Sequence, residues 1–201
     1  LNLWENIELR GLLYLLDNTG KITSNKLIEF KETVHTNKTK GLLTPIKPFF
    51  GKSYTVLSGD NAIYRAEPEN FLIREYSPNG AYQQAFFYPH KKIPLTKESA
   101  VEAGVHEYYT RNMKSMNLPQ TWPVLTDMKI DDQDRLWVAT IVEDMNVYEW
   151  WVLDASDGSV IARFDWPRDK PIEAVKNGYM YTRETNEMGI RQIIKYKIKM
   201  D

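Results

Sequence analysis

The sequence has no cysteine among its 201 residues, which excludes disulfides, thiolate metal sites and a cysteine nucleophile. It also lacks any run of about 18 apolar residues, the length a helix needs to cross a bilayer, so no membrane-spanning helix is expected. Excess charge of one sign is missing too: 26 Lys and Arg stand against 27 Asp and Glu, a formal net charge of −1. Nucleic-acid binders draw much of their affinity from neutralised phosphates, so nucleic acid is not an expected partner. Histidine is scarce. His35, His90 and His106 lie in three distant regions, in no metal-ligand spacing; His90, beside Lys91 and Lys92, is expected in an exposed loop, and His106 on a helix. No nucleophile elbow, phosphate-binding loop or dinucleotide fingerprint is present, so triad hydrolase and nucleotide-binding chemistry have no support. The chain opens at Leu1 without a charged segment and apolar core of the signal-peptide kind, and the expectation drawn from that is a fragment of a longer chain.

Aromatic residues are abundant, with 12 Tyr, 7 Phe and 6 Trp, which suits strands packed between sheets. A repeat organises them. Leu12–Ile22, Phe71–Tyr82 and Trp150–Val160 each join an apolar run to a second strand through a polar turn closing on Gly20, Gly80 or Gly158. Asn, Asp and Ser cap such turns and Gly supplies the positive φ, so each unit reads as a β-hairpin. A second pattern, a polar turn leading into a short apolar strand, occurs at Gly59–Tyr64, Asp132–Val138 and Lys176–Tyr181, the last followed by a strand at Arg191–Ile198. Two consecutive hairpins make a four-stranded meander, the unit of a propeller blade.

Leu12–Leu16, Phe86–Tyr88 and Trp150–Leu153 are apolar on consecutive residues. Neighbouring strand residues point to opposite faces, so all three strands are expected to be covered on both sides. Only one helix is expected, an insertion at about 95–117 that starts near Pro94 and Thr96 and carries Val101, Val105, Tyr109, Met113 and Met116 on one stripe. Sheets stacked on sheets must then supply the cover. The fold class expected is mainly β, with antiparallel four-stranded blade-like meanders, a partial β-propeller with one helical insertion. Its units are a partial blade at 1–53, a blade at 54–89, the insertion at 90–122, a blade at 123–167 and a partial blade at 168–201.

The stretch Phe71–Gly80 resembles the outer strands of bacterial six-bladed propellers, and Asp127–Val138 is similar to the inner strands of NHL-repeat and gluconolactonase-like propellers. A blade takes about 40–45 residues, so six need a longer chain than this one. The resemblance therefore implies the C-terminal part of a larger propeller. It also implies export to the periplasm or beyond, and open sheet edges that pair with a second copy.

In such propellers the starts of the inner strands line a central channel. Asp127 and Glu173 stand there, and lactonase-like relatives hold a metal in that place with carboxylates; calcium, a hard cation, suits such oxygens. The Asp-rich turn does not make a calcium loop. Asp132, Asp134 and Glu143 fall at its positions one, three and twelve, but Leu136 and Trp137 occupy positions that need an oxygen ligand and a glycine, so a solvated turn is expected. Trp137, Trp150 and Trp151 are expected in the core. Trp122 and Trp166, each before a proline, are the candidate rim aromatics, able to bind protein, peptide or carbohydrate if exposed and otherwise wedged between blades. Two functions follow: a non-catalytic binding or scaffold module, and, as the alternative, a metal-dependent lactonase-like hydrolase using the channel carboxylates.

Overall fold

The computed structural model describes residues 4–39, 42–45, 49, 51–116 and 118–200, with backbone alone at 4–9, 31–39 and 42–45. Parts of the 1–53 unit and the His35 side chain thus lie outside the described residues. Among the described residues four antiparallel sheets follow one another. The first holds β1 (Trp4–Leu13), β2 (Ile28–Thr39) and β3 (Leu42–Pro45). The second is a four-stranded meander of β4 (Tyr54–Leu57), β5 (Ile63–Glu67), β6 (Leu72–Tyr76) and β7 (Tyr82–Phe87). The third repeats it with β8 (Leu125–Ile130), β9 (Arg135–Ile141), β10 (Val147–Asp154) and β11 (Val160–Pro167). The fourth has three strands, β12 (Ile172–Lys176), β13 (Tyr179–Thr185) and β14 (Arg191–Lys197).

Alternation along the strands explains the stacking. On the third sheet Leu136, Val138, Trp151 and Leu153 face one way and join Tyr64, Phe71, Ile73 and Phe86 of the second sheet in one core. Trp137, Ala139, Trp150 and Val152 face the other way and meet Ile172, Val175 and Met180 of the fourth. At about 25 cal/mol per Å² of apolar surface, burial on both faces makes this sheet the centre of the molecule's stability. The second sheet reaches the first by stacking the buried Arg65 guanidinium 3.4 Å over the Phe30 ring. The first strands of successive sheets, β4, β8 and β12, lie side by side. Sheets fanned about their first strands are the architecture of a partial β-propeller.

The turns carry the stacking as well. Gly80 and Gly158 adopt φ of +82° and +76°. A side chain at Gly80 would run into the Leu27 carbonyl of the neighbouring sheet, and one at Gly158 into Phe86 and Tyr88. Glycine is needed there for the turn and for the close approach alike.

Two expected strands are not doubly covered. Leu12, Leu15 and Leu16 are all largely exposed, because nothing among the described residues packs on the outer side of the first sheet. Phe86 is buried but Phe87 is 63% exposed, since that face of β7 has no neighbour. The insertion also differs from the single helix expected. It forms α1 (Lys97–Glu102) and α2 (Glu107–Asn112), with a short 3₁₀ turn at Met113–Ser115. Gly104 at φ +69° ends the first helix and His106 caps the second, so the stripe breaks and Val101 faces solvent. Thr96 caps α1 through a reciprocal pair with Ser99. The insertion then packs Ala100, Met116 and Trp122 with Phe49 against Ile141 and Met145 at the end of the third sheet.

Candidate functional site

Asp127 and Glu173 lie on β8 and β12, adjacent first strands. Each already has a cation. The Lys129 ammonium is 2.6 Å from Asp127, and the Arg183 Nε is 2.7 Å from Glu173. Beside them the Tyr54 hydroxyl donates to the Thr126 carbonyl, tying β4 to β8. Burial, reinforced by the Asp127 charge, pushes the Tyr54 phenol far above its ordinary pKa. Among the described residues no three His, Asp or Glu side chains stand together as a metal-ligand group.

The two rim tryptophans are not presented to solvent alike. Trp122 is 5% exposed, wedged against Phe49, and its indole N–H donates to Ser99 Oγ at 3.0 Å. Trp166 is half-buried, its ring edge-on to Tyr196 at 5.2 Å and its N–H donating to the Lys170 carbonyl. Trp137, Trp150 and Trp151 are core residues.

The Asp-rich turn is more than a solvated turn. The Asp131 carboxylate is buried and accepts from the Gln133 and Arg135 amides, the Arg135 guanidinium and the Trp137 indole. Asp134 accepts from the Gly59 amide at 2.7 Å, and Asp132 from the Asn177 amide at 2.9 Å. One turn therefore grips the matching turns of both neighbouring sheets, two of the three carboxylates by long-range contacts that local sequence does not announce.

The remaining concentration of polar groups lies at the opposite end of the third sheet, where the insertion leaves β7. A cleft of about 370 Å³ opens there, with Ile93, Ile141 and Val147 as apolar lining and His90, Lys91, Glu143, Asp144, Glu149 and Asp165 as polar lining. His90 is not in a free loop. Its ring lies edge-on to Phe71 and Trp151, with Nε2 buried and without a hydrogen-bond partner. Burial lowers its pKa, the Arg163 charge adds to that and Glu149 opposes it, so His90 is neutral at neutral pH.

The acids of the cleft are held in different ways. Lys91 pairs with Glu143 and lowers its pKa by hydrogen bonding and charge. The Asn146 amide and side chain hold Asp144 below the usual carboxylate range. Glu149 accepts from the Trp151 indole at 2.8 Å and from Arg163 Nε at 3.1 Å. Asp165 is directly opposite Glu149 in the β10–β11 ladder, yet its carboxylate makes no hydrogen bond or ion pair among the described residues. Like charges set opposite each other in a ladder are unfavourable by a few tenths to about 1 kcal/mol. Sequence reasoning missed this pair. The hairpin turn is its signal, but a bulge between Val152 and Leu153 shifts the count by one residue, and an unbroken ladder would put Phe164 opposite Glu149.

No protein-family model matches the chain, and no curated protein matches it. Two solved structures are similar to it in outline. One is a streptogramin B lyase, 9% identical with a TM-score of 0.37, covering 95% of this chain and 59% of that one. The other is a virginiamycin B lyase from Staphylococcus aureus, 13% identical with a TM-score of 0.30, covering 97% of this chain and 74% of that one. The chain thus spans under two thirds of the length of the first of these, and at such scores neither assigns an activity or a residue role.

Proposed function

We propose that this chain is a propeller module that binds its ligand without transforming it, and that the cleft beside His90 takes a cationic group, the Lys or Arg side chain of a partner protein or peptide. The observation that carries this reading is the Glu149–Asp165 pair: two carboxylates face each other across a ladder in the lining of a cleft, and among the described residues only one has a cation. An incoming guanidinium or ammonium relieves that repulsion, while Ile93, Ile141 and Val147 cover its aliphatic stem. The neutral His90 adds no competing positive charge.

The test is fluorescence anisotropy with a labelled Arg-rich tetrapeptide and a Glu-rich counterpart. The reading expects the basic probe to bind, to weaken as salt rises, and to lose at least tenfold affinity in Asp165→Asn. Equal binding of both probes, or indifference to Asp165→Asn, refutes it. Because Asp165 is exposed and unpaired, the same variant should be as stable as the parent or slightly more so.

The second reading keeps the finer resemblance, a six-bladed NHL- or gluconolactonase-like propeller hydrolysing a lactone with a divalent cation at Asp127 and Glu173. It ranks second because a metal there must displace Lys129 and Arg183. Stoichiometric metal in the purified protein, with chelator-sensitive lactone turnover, would reverse the order.

A further inference from the structure

We propose that His90 is an acid-operated rival for its own cleft: once protonated, its ring turns from the aromatic wall to the Glu149–Asp165 carboxylates and expels the cationic group held there. This rests on the cleft being a cation site, and it adds the condition under which the site lets go.

The resting place of the ring is unsuited to a charge. Its Nε2 is buried and has no hydrogen-bond partner. Phe71 and Trp151 meet the ring edge-on, with centroids 6.4 Å away in both cases. Arg163 lies 3.9 Å over the same Trp151 ring, so the indole already serves one cation. A second proton would set an imidazolium in that wall, without an acceptor and near a guanidinium. A buried charge lacking a partner is far costlier than a neutral group in the same place. Only the neutral ring is at home there.

The cleft offers the escape. Its charged groups come from three elements around the ring: Glu149 from β10, Arg163 and Asp165 from β11, and Glu143 and Asp144 from the loop between β9 and β10. Phe71, ahead of β6, brings none. Lys91, the next residue along, is spent on Glu143, and Asp144 is held by Asn146. Glu149 attracts a protonated ring and Arg163 repels it from where it now sits. Asp165, opposite Glu149, is the carboxylate with no cation among the described residues. The ring has no bond at Nε2 that turning would break. Imidazolium and a bound guanidinium or ammonium then compete for one pair of carboxylates, so each weakens the other by the same factor.

The experiment uses the whole chain and the labelled Arg-rich tetrapeptide, with anisotropy read at fixed salt from pH 7.5 to pH 5.0. That window lies above the ordinary aspartate pKa of about 4, so Asp165 stays ionised. Affinity should fall about threefold or more across it, and His90→Gln should make it flat, whatever its value at pH 7.5. A second measurement needs no ligand: NMR titration of the His90 ring protons. Below the midpoint the ring should lose its NOEs to Phe71 and Trp151, and Asp165→Asn should move the midpoint down by a few tenths of a pH unit. A pH-independent affinity in the parent, a slope retained in His90→Gln, a protonated ring that keeps both aromatic contacts, or a midpoint unmoved by Asp165→Asn each overturns the proposal. If no basic probe binds at pH 7.5, the cation reading of the cleft fails by itself, and the NMR titration still decides whether the ring moves.

Discussion

The third and fourth sheets are both antiparallel meanders with glycine-bearing turns, yet of the two only the third is covered on both faces. Trp137 and Trp150 on one side and Trp151 on the other are all buried there. On the fourth sheet Met180 and Thr182 are buried, while Ile193 across the sheet is 60% exposed. The difference lies in position within the stack rather than in local propensity, since consecutive apolar residues occur in both. A run such as Ile193–Ile194 resembles Trp151–Val152 in composition, but what covers each residue depends on the next sheet.

The comparison can be broken most sharply by truncating its two sides. Trp137→Ala should destabilise the protein by about 3–5 kcal/mol in urea unfolding, whereas Ile193→Ala should change it by less than about 0.5 kcal/mol. Equal effects would mean that the third sheet is not the centre of the stack. Asp131→Asn comes next. It leaves the half-buried Arg135 guanidinium without its carboxylate and should cost about 3 kcal/mol, read from the same unfolding curves.

Smaller effects sharpen the picture at the edges of the third sheet. Asp132→Ala and Asp134→Ala should each cost about 0.5–1.5 kcal/mol, and the double variant should equal their sum, because the two acids hold different neighbours. The pH dependence is the finest probe. Burial lowers the folded-state pKa of His90, so the unfolded chain binds a proton more readily. Its share of stability is complete above the unfolded-state pKa of about 6.5 and is lost as pH falls from there towards the folded value. His90→Gln should flatten stability across that window, measured as urea midpoints from pH 7 to pH 5.

The hairpins were legible in the sequence because their chemistry is local. Asp17, Asn79 and Asp154 each accept from an amide two residues on in a turn that closes on glycine, using side chains a few positions apart. The mainly β class and the doubly covered Trp150–Leu153 strand followed from those turns and from the alternation rule. What stayed hidden depends on distance along the chain. Gly59 and Asp134 are 75 residues apart, and so lie outside any local window. The insertion's break required knowing that Gly104 takes a positive φ instead of riding through a helix, which periodicity does not reveal. The cleft was illegible for a third reason: one bulge in β10 moved Asp165 opposite Glu149.

The turn that holds Asp132 and Asp134 works as a spacer with a grip on each side. Its two carboxylates reach opposite ways, so the angle at which one sheet follows the last is set near the base of the fan and not by the apolar cores alone. Loss of Asp134 would let the N-terminal flank splay while the C-terminal flank kept its pitch, and loss of Asp132 would do the reverse.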